Sequence, residues 1–143
     1  MHTISKVFID TNVFVAIRDT NDNTHQKAIK ISDFLSKNNI KLFTTSLVLT
    51  ETLTILSQKL GKDIALDWYN DYKNSLINEV FIDQQLFKNS IELFKKTKPE
   101  NISLVDCSNV IVMKQNKIDT IFSFDEDFKN LGVKLLGDVV NYS

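Results

Sequence analysis

The sequence contains a single cysteine, a single proline and only three glycines among 143 residues. Because one cysteine cannot form an internal disulfide, the fold must depend on its core, as in proteins of a reducing compartment. Low proline and glycine, with 43% hydrophobic and 24% charged residues, are typical of a compact folded chain rather than a disordered one. This length suffices for one domain, and we expect one domain over residues 1–143.

Long apolar runs and arginine are also scarce. No stretch approaches the roughly twenty apolar residues of a membrane-spanning helix, and the N-terminus lacks the basic start and apolar core of a signal peptide. We therefore expect a cytoplasmic protein with no membrane association. The formal net charge is -1 and Arg18 is the only arginine, so contact with nucleic acid would depend on local geometry rather than on a global basic field.

Short apolar runs alternate with segments of helical periodicity. We predict strands at residues 7–9, 41–44, 80–82 and 120–124, with a possible edge strand at 133–136. Helix boundaries are indicated by typical capping or stop residues at Ser46, Gly61, Asp83, Pro99 and Ser103. Strands separated by helices predict an α/β fold with a mainly parallel central sheet of four or five strands and helices on both faces.

Three acidic residues stand alone in apolar sequence. Asp10 is the only acid in "KVFIDTNVFVA", Glu51 the only one in "TTSLVLTETLTILSQK", and Asp106 the only one in "NISLVDCSNVIVMK". A charge in an apolar helix face is costly unless it is paired or binds a metal. These acids are therefore candidates for a site.

The predicted topology brings the isolated acids together. Asp10 and Asp125 follow predicted strands, while Glu51 and Asp106 lie in the first turns of predicted helices, and all these positions share one edge of a parallel sheet. Two carboxylates about 5 Å apart repel by roughly 3 kcal/mol at an effective dielectric near 20, so such a cluster must bind protons or a cation. An all-carboxylate set favours Mg²⁺ or Mn²⁺ over zinc, and these ions activate water against phosphodiesters. The predicted chemistry is nucleic-acid hydrolysis.

Each acid also has a structural explanation. Asp10 could cap the first helix, and Asp106 could be only the acidic partner of Ser103 in a capping box. Asp125 belongs to an acidic run with Glu126 and Asp127 that could be an exposed turn. The prediction of a site therefore depends on the conjunction of the acids.

Four ordered motifs, "FIDTNVFVA", "TTSLVLTE", "LVDCSNVIV" and "FSFDEDF", resemble the PIN domain, the fold of small metal-dependent ribonucleases that includes the VapC toxins. The resemblance covers nearly the whole chain. It implies catalytic metal ligands at Asp10, Glu51, Asp106 and Asp125, a further metal-binding acid at Asp127, and site-ordering polar residues at Asn12 and Ser123. It also implies Mg²⁺ or Mn²⁺ as cofactor, RNA as substrate, a homodimer, and a cognate antitoxin that covers the acidic groove.

Several positions qualify the resemblance. Ser123 stands where Thr is more usual but keeps the hydroxyl, and Cys107 stands where Ala is common and is interpreted as a core residue. His25 matches a position where the toxin-like members often carry His, and we interpret it as structural. The aromatic residues Trp68 and Tyr72 are interpreted mainly as core packing, with a dimer contact as the alternative.

The leading hypothesis is a Mg²⁺- or Mn²⁺-dependent endoribonuclease, the toxin of a type II toxin–antitoxin pair. The alternatives are a PIN-fold RNA-processing nuclease that is not a toxin, and a non-catalytic PIN-like binding module. A phosphatase or receiver-like domain with Asp10 as nucleophile is a further alternative. Position 12 is Asn, where a phosphatase needs Asp, and the acidic pair of a receiver is missing.

Overall fold

The computed structural model describes residues 3–98 and 101–141, and its centre is a parallel sheet. Its strands are β1 (Lys6–Ile9), β2 (Lys41–Thr45), β3 (Asn78–Val80), β4 (Thr120–Phe122) and β5 (Lys134–Leu135). They lie in the order β3-β2-β1-β4-β5, and each neighbouring pair is parallel. The predicted α/β fold with a parallel sheet is confirmed.

Helices connect and flank the strands. They are α1 (Thr11–Arg18), α2 (His25–Lys37), α3 (Ser46–Leu60), α4 (Lys62–Lys73), α5 (Gln84–Lys96), α6 (Leu104–Gln115), a 3₁₀ helix (Glu126–Leu131) and α7 (Leu136–Val139). Helix α1 packs against α2 and α3, α3 against α4, and α5 against α6. Among the described residues, no helix is both long and apolar enough to cross a membrane.

Strands β1 and β4 form the buried middle of the sheet. Val7 and Phe8 of β1 have no exposed surface, and Phe122 of β4 is 1% exposed. Such a continuous apolar run suits a parallel strand covered on both faces. Ile9 pairs with Phe122, so the residues that follow these two strands, Asp10 and Ser123, begin side by side at the carboxyl edge.

The ends of the predicted strands need correction. Strands β1 and β2 are each one residue longer than predicted, and β5 covers 134–135 rather than 133–136, because Leu136 begins α7. Strand β3 covers 78–80 rather than 80–82, because the chain leaves the sheet before Phe81, which is 72% exposed. Strand β4 ends at Phe122 rather than at residue 124, because Ser123 forms side-chain hydrogen bonds to the start of α1. At the carboxyl ends of β3 and β4, the prediction extended the strand into residues that are apolar or β-compatible but make other contacts.

The N-cap of α3 is Thr45 rather than Ser46. Thr45 has extended backbone, and its Oγ1 accepts a hydrogen bond from Val48 N at 3.2 Å. Ser46 is the first helical residue, and its Oγ accepts from Ile82 N at 2.9 Å, which ties the segment after β3 to α3. Two adjacent hydroxyl residues offered the same capping chemistry, so the sequence pattern could not choose between them.

The predicted helix boundaries at Gly61, Asp83 and Ser103 are confirmed. Asp83 and Ser103 cap α5 and α6 through their side chains. Gly61 ends α3 with φ of 99°, a conformation that favours glycine, and α4 begins directly at Lys62. Helix α5 ends at Lys96, and Pro99, the predicted stop residue, lies outside the described residues.

An aromatic cluster joins α1 to α4. The ring of Phe14 meets the ring of Trp68 edge-on at 5.3 Å between centroids, and Trp68 stacks on Tyr72 at 5.4 Å. Trp68 is only 7% exposed, in agreement with its interpretation as core packing. Cys107 is likewise fully buried, and His25 Nδ1 lies 2.7 Å from the carbonyl oxygen of Ala16, a contact that links α2 to α1.

Candidate active site

A groove of about 690 Å³ opens at the carboxyl edge of the sheet. The four acids predicted as metal ligands all line it: Asp10, Glu51, Asp106 and Asp125. They come from the end of β1, from α3, from the first turn of α6 and from the start of the 3₁₀ helix, so residues far apart in sequence share one cleft. Glu51 is the sixth residue of α3 and lies in its second turn, not in the first turn as predicted.

Asp10 is the most tightly held of the four acids. Its side chain is nearly buried, and its Oδ1 accepts hydrogen bonds from Thr11 N at 2.8 Å and from Asn109 Nδ2 at 3.2 Å. Its Oδ2 accepts from Ser123 Oγ at 2.8 Å. Asp10 therefore caps α1, as the structural explanation requires, and also lies at the floor of the groove.

Ser123 connects the residues around Asp10. Besides donating to Asp10, its Oγ accepts from Asn12 Nδ2 at 3.2 Å and from Asp125 N at 3.1 Å. The Oδ1 of Asn12 accepts from Phe124 N at 3.2 Å. Asn12 and Ser123 thus fix the chain after β4 against the start of α1.

The carboxylates influence one another electrostatically. Burial raises the pKa of Asp10 to about 7 against the hydrogen bond from Ser123, and the negative charges of Asp106 and Glu51 add to the increase. Burial also raises the pKa of Asp106 in spite of its capping hydrogen bonds, and the charges of Asp125 and Glu51 add to it. The groove therefore favours a proton or a cation over a further negative charge.

Besides Asp10, two more of the acids are engaged in helix caps. The Oδ2 of Asp106 accepts from Ser103 N at 3.0 Å while Ser103 Oγ accepts from Asp106 N at 3.0 Å, which completes the predicted capping box. The Oδ1 of Asp125 accepts from Asp127 N at 2.9 Å. Within 3–98 and 101–141, no three His, Cys, Asp or Glu side chains are arranged as they stand to hold a metal ion. The four acids share a groove without forming a coordination sphere.

Asp127 lies beside the groove rather than in its lining. Its Oδ2 accepts a short hydrogen bond from Asn101 Nδ2, and this contact links the 3₁₀ helix to the segment before α6. Asn101 itself lines the groove. In this position Asp127 stabilises one wall of the groove.

Asn109 is the residue of this network that the motif analysis missed. It is fully buried on α6 and donates to Asp10, while its Oδ1 has no hydrogen-bond partner among the described residues. It lies three residues after Asp106 and therefore on the same side of the helix. An amide in the apolar run "CSNVIVM" was the available signal.

Ser123→Ala should reduce activity by about 10- to 100-fold, the range typical for loss of a group that orients a ligand. The substitution removes the hydroxyl that contacts Asp10, Asn12 and Asp125. Ser123→Thr retains the hydroxyl and should retain activity. Initial cleavage rates of both variants, with melting curves as a fold control, measure the effect, and equal rates for the two would exclude a role for the hydroxyl.

The fold and the groove define an α/β protein with a carboxylate-lined site at the carboxyl edge of a parallel sheet. The family model described as "PIN domain" matches residues 7–134. The chain belongs to the PIN domain family.

Curated and solved relatives agree with this assignment. The 23S rRNA-specific endonuclease VapC20 from two strains of Mycobacterium tuberculosis is 25% identical over 126 residues, which cover 88% of this chain and 94% of that protein. The crystal structure of M. tuberculosis VapC20, described as a sarcin–ricin loop cleaving toxin, superposes with a TM-score of 0.79 at 22% identity, over 89% of this chain and 95% of that one.

Two toxin–antitoxin complexes share the fold. DNA-bound VapBC from Salmonella typhimurium gives a TM-score of 0.65 at 14% identity, over 92% of this chain and 97% of that one. VapBC2 from Rickettsia felis, bound to a promoter DNA fragment, gives a TM-score of 0.63 at 15% identity, over 91% of this chain and 96% of that one. At these identities the likeness establishes the fold alone.

Proposed function

We propose that this protein is a divalent-metal-dependent endoribonuclease and the toxin of a type II toxin–antitoxin pair, acting in the cytoplasm. The observation that carries the proposal is the meeting of Asp10, Glu51, Asp106 and Asp125 in one groove. Membership of the PIN domain family and a curated relative named as a 23S rRNA-specific endonuclease support RNA as the substrate.

The donor set fits Mg²⁺ or Mn²⁺. The described lining residues include four carboxylates and no His or Cys, which is a hard oxygen set. Burial raises the pKa of Asp10, and the charges of Asp106 and Glu51 add to the increase, so a cation bound here would favour the ionised carboxylate. A divalent ion held by these acids supplies water activation and charge neutralisation at the phosphodiester. Asp127, beside the groove, is the candidate for a supporting contact.

The surrounding polar residues position the site in this proposal. Ser123 and Asn109 orient the two oxygens of Asp10, and Asn12 holds Ser123 in turn. Because the pKa of Asp10 is about 7, its carboxyl group can hold or release a proton near neutral pH. The chain thus presents a pre-oriented acid at the floor of a groove that RNA can enter.

We also propose a homodimer and an antitoxin partner. Phe87 and Phe94 are seven residues apart on α5, on one face, and each is 43% exposed. Such an apolar face suits self-association. An antitoxin is supported by the two solved relatives that are described as VapBC complexes.

Metal dependence is tested by Glu51→Gln, with Glu92→Gln as the matched control. Glu51 lines the groove, whereas Glu92 is exposed on α5 and forms an ion pair with Lys95. Calorimetric titration with Mn²⁺ should detect binding to wild type and to the control, and binding at least about 10-fold weaker to Glu51→Gln.

RNA cleavage completes the test. Wild type should cleave an RNA oligonucleotide with a sarcin–ricin-type loop in Mg²⁺ or Mn²⁺, and should not cleave it in excess EDTA. Metal-independent cleavage, or metal binding without cleavage of any RNA, would refute the proposal and favour another chemistry or a binding module. Growth arrest upon expression, relieved by a neighbouring gene product, separates a toxin from an RNA-processing nuclease.

A further inference from the structure

Helix α3 contributes a basic residue to the groove as well as an acid. Lys59 is the only Lys, Arg or His among the described residues that line it. It lies eight residues after Glu51, with Ile55 midway between them, so all three share one face of the helix. At 1.5 Å per residue, Lys59 is about 12 Å from Glu51 along the helix axis.

Asp22 lines the same groove and is within the electrostatic influence of this lysine. Its Oδ1 accepts hydrogen bonds from Thr24 N at 2.9 Å and from Thr24 Oγ1 at 2.6 Å. These hydrogen bonds hold the pKa of Asp22 below its usual range, and the positive charge of Lys59 adds to the effect. Lys59 is therefore close enough to Asp22 for electrostatic interaction, while its own side chain is exposed.

A nucleic-acid strand that reaches the four acids meets a negative electrostatic potential, which repels its phosphates. In the part of the chain that the structure describes, the lining carries five acidic residues, Asp10, Asp22, Glu51, Asp106 and Asp125, against the single positive charge of Lys59. Neutral hydrogen-bonding residues make up most of the remaining polar lining, among them Thr11, Gln58 and Asn101. A compact ammonium group at one end of the groove suits contact with a phosphate irrespective of base sequence.

We propose that Lys59 binds a backbone phosphate of the RNA substrate away from the cleaved bond, so that the strand runs along α3 from the four acids towards Lys59. This proposal rests on the proposed ribonuclease function. Asp22 opposes the contact because its carboxylate competes with the phosphate for Lys59 and repels it. Lys59 is a positioning residue that determines affinity and strand direction and takes no part in the chemistry.

The first test is the affinity for a fluorescein-labelled single-stranded RNA, measured by anisotropy in the Asp10→Asn background so that the RNA stays intact. Lys59→Gln should raise Kd about five-fold and reduce the slope of log Kd against log salt by about 0.7, the value for one phosphate contact on a single strand. Lys62→Gln is the matched control, since Lys62 is exposed, lies three residues further on, and is outside the lining.

Asp22→Asn provides a test of opposite sign. The amide oxygen can still accept from Thr24, so the loop is retained, while the competing charge is removed. We expect Kd to fall about two- to three-fold, and to fall less when Lys59→Gln is also present. If Lys59 only balances Asp22, Lys59→Gln and Lys62→Gln will give equal Kd values and equal salt slopes, and the proposal is overturned.

Cleavage kinetics separate this proposal from the proposed function. With Asp10 intact, Lys59→Gln should raise KM about five-fold at an unchanged kcat. If wild type is active and Lys59→Gln leaves KM unchanged, the proposed role of Lys59 is rejected, while the ribonuclease proposal is unaffected. If wild type cleaves no RNA, the ribonuclease proposal fails, while the anisotropy still decides whether Lys59 contacts phosphate. Absence of RNA binding by the Asp10→Asn chain at low salt would overturn the Lys59 proposal.

Discussion

Asp10→Asn is expected to reduce RNA cleavage by more than about 100-fold, beyond the usual cost of losing an orienting group, while the chain remains folded. Asparagine has nearly the same shape, and its Oδ1 can still accept from Thr11 N and Asn109 Nδ2. The charge at the floor of the groove is lost. Single-turnover cleavage rates, together with far-ultraviolet circular dichroism, measure activity and fold in the same preparations.

Asp33→Asn is the control, because Asp33 is an exposed residue of α2 outside the groove and should retain full activity. The two explanations of Asp10 predict different results. If Asp10 serves only as the cap of α1, Asp10→Asn will stay folded and fully active, because asparagine caps a helix about as well as aspartate. An inactive but folded variant would establish that the carboxylate acts in the reaction.

The second large effect concerns pH. In metal-free protein, the free energy of unfolding should decrease as the pH rises through about 7. Folding raises the pKa of Asp10 from its ordinary value of 3.8 to about 7, mainly by burial, so between these values the folded state binds a proton that the unfolded state has released. This proton on Asp10 stabilises the folded state by about 4 kcal/mol. The stabilisation is complete below about pH 4, decreases as the pH rises, and is lost above about pH 7. The raised pKa of Asp106 acts in the same direction.

Urea denaturation in EDTA at about pH 5 and about pH 8 measures this dependence. Asp10→Asn should show a much flatter profile and should be more stable than wild type at the higher pH. Some of that gain will be offset, because Ser123 Oγ already accepts two hydrogen bonds and is a poor acceptor for the new amide. Identical profiles for the two proteins would show that Asp10 is not protonated in the folded state.

The sequence predicts the scaffold of the groove better than its internal contacts. The short apolar run before Asp10 is typical of a buried strand, and the position of Asp10 at the end of that strand follows directly. The contribution of Asn109 could not be read in the same way, because its partner is 99 residues away and a buried amide in a helix has no characteristic pattern. Local periodicity reports which face is buried but not what a polar group meets there.

The acids were predicted together but not in their present arrangement. Their convergence follows from parallel topology, which holds for any sequence of this fold class. Their individual orientation depends on competition between helix caps and the groove, and in Asp106 the capping box with Ser103 is complete. Capping hydrogen bonds join residues that are close in sequence, so a capping role can be predicted from the sequence alone. Whether the same carboxylate can also reach a metal in the groove depends on the tertiary structure, which the sequence pattern does not give.

The joint at Gly61 has a mechanical consequence for the groove. A single residue, Gly61 with φ of 99°, joins α3 to α4, so this connection leaves the two helices little freedom to move relative to each other. Through Trp68, α4 bears on Phe14 of α1, and α1 starts at Asp10. The contact between Phe14 and Trp68, which are outside the groove lining, therefore sets the spacing between α3 and the floor of the groove. Substitutions at Phe14 or Trp68 would therefore change the width of the groove without altering any of its charges.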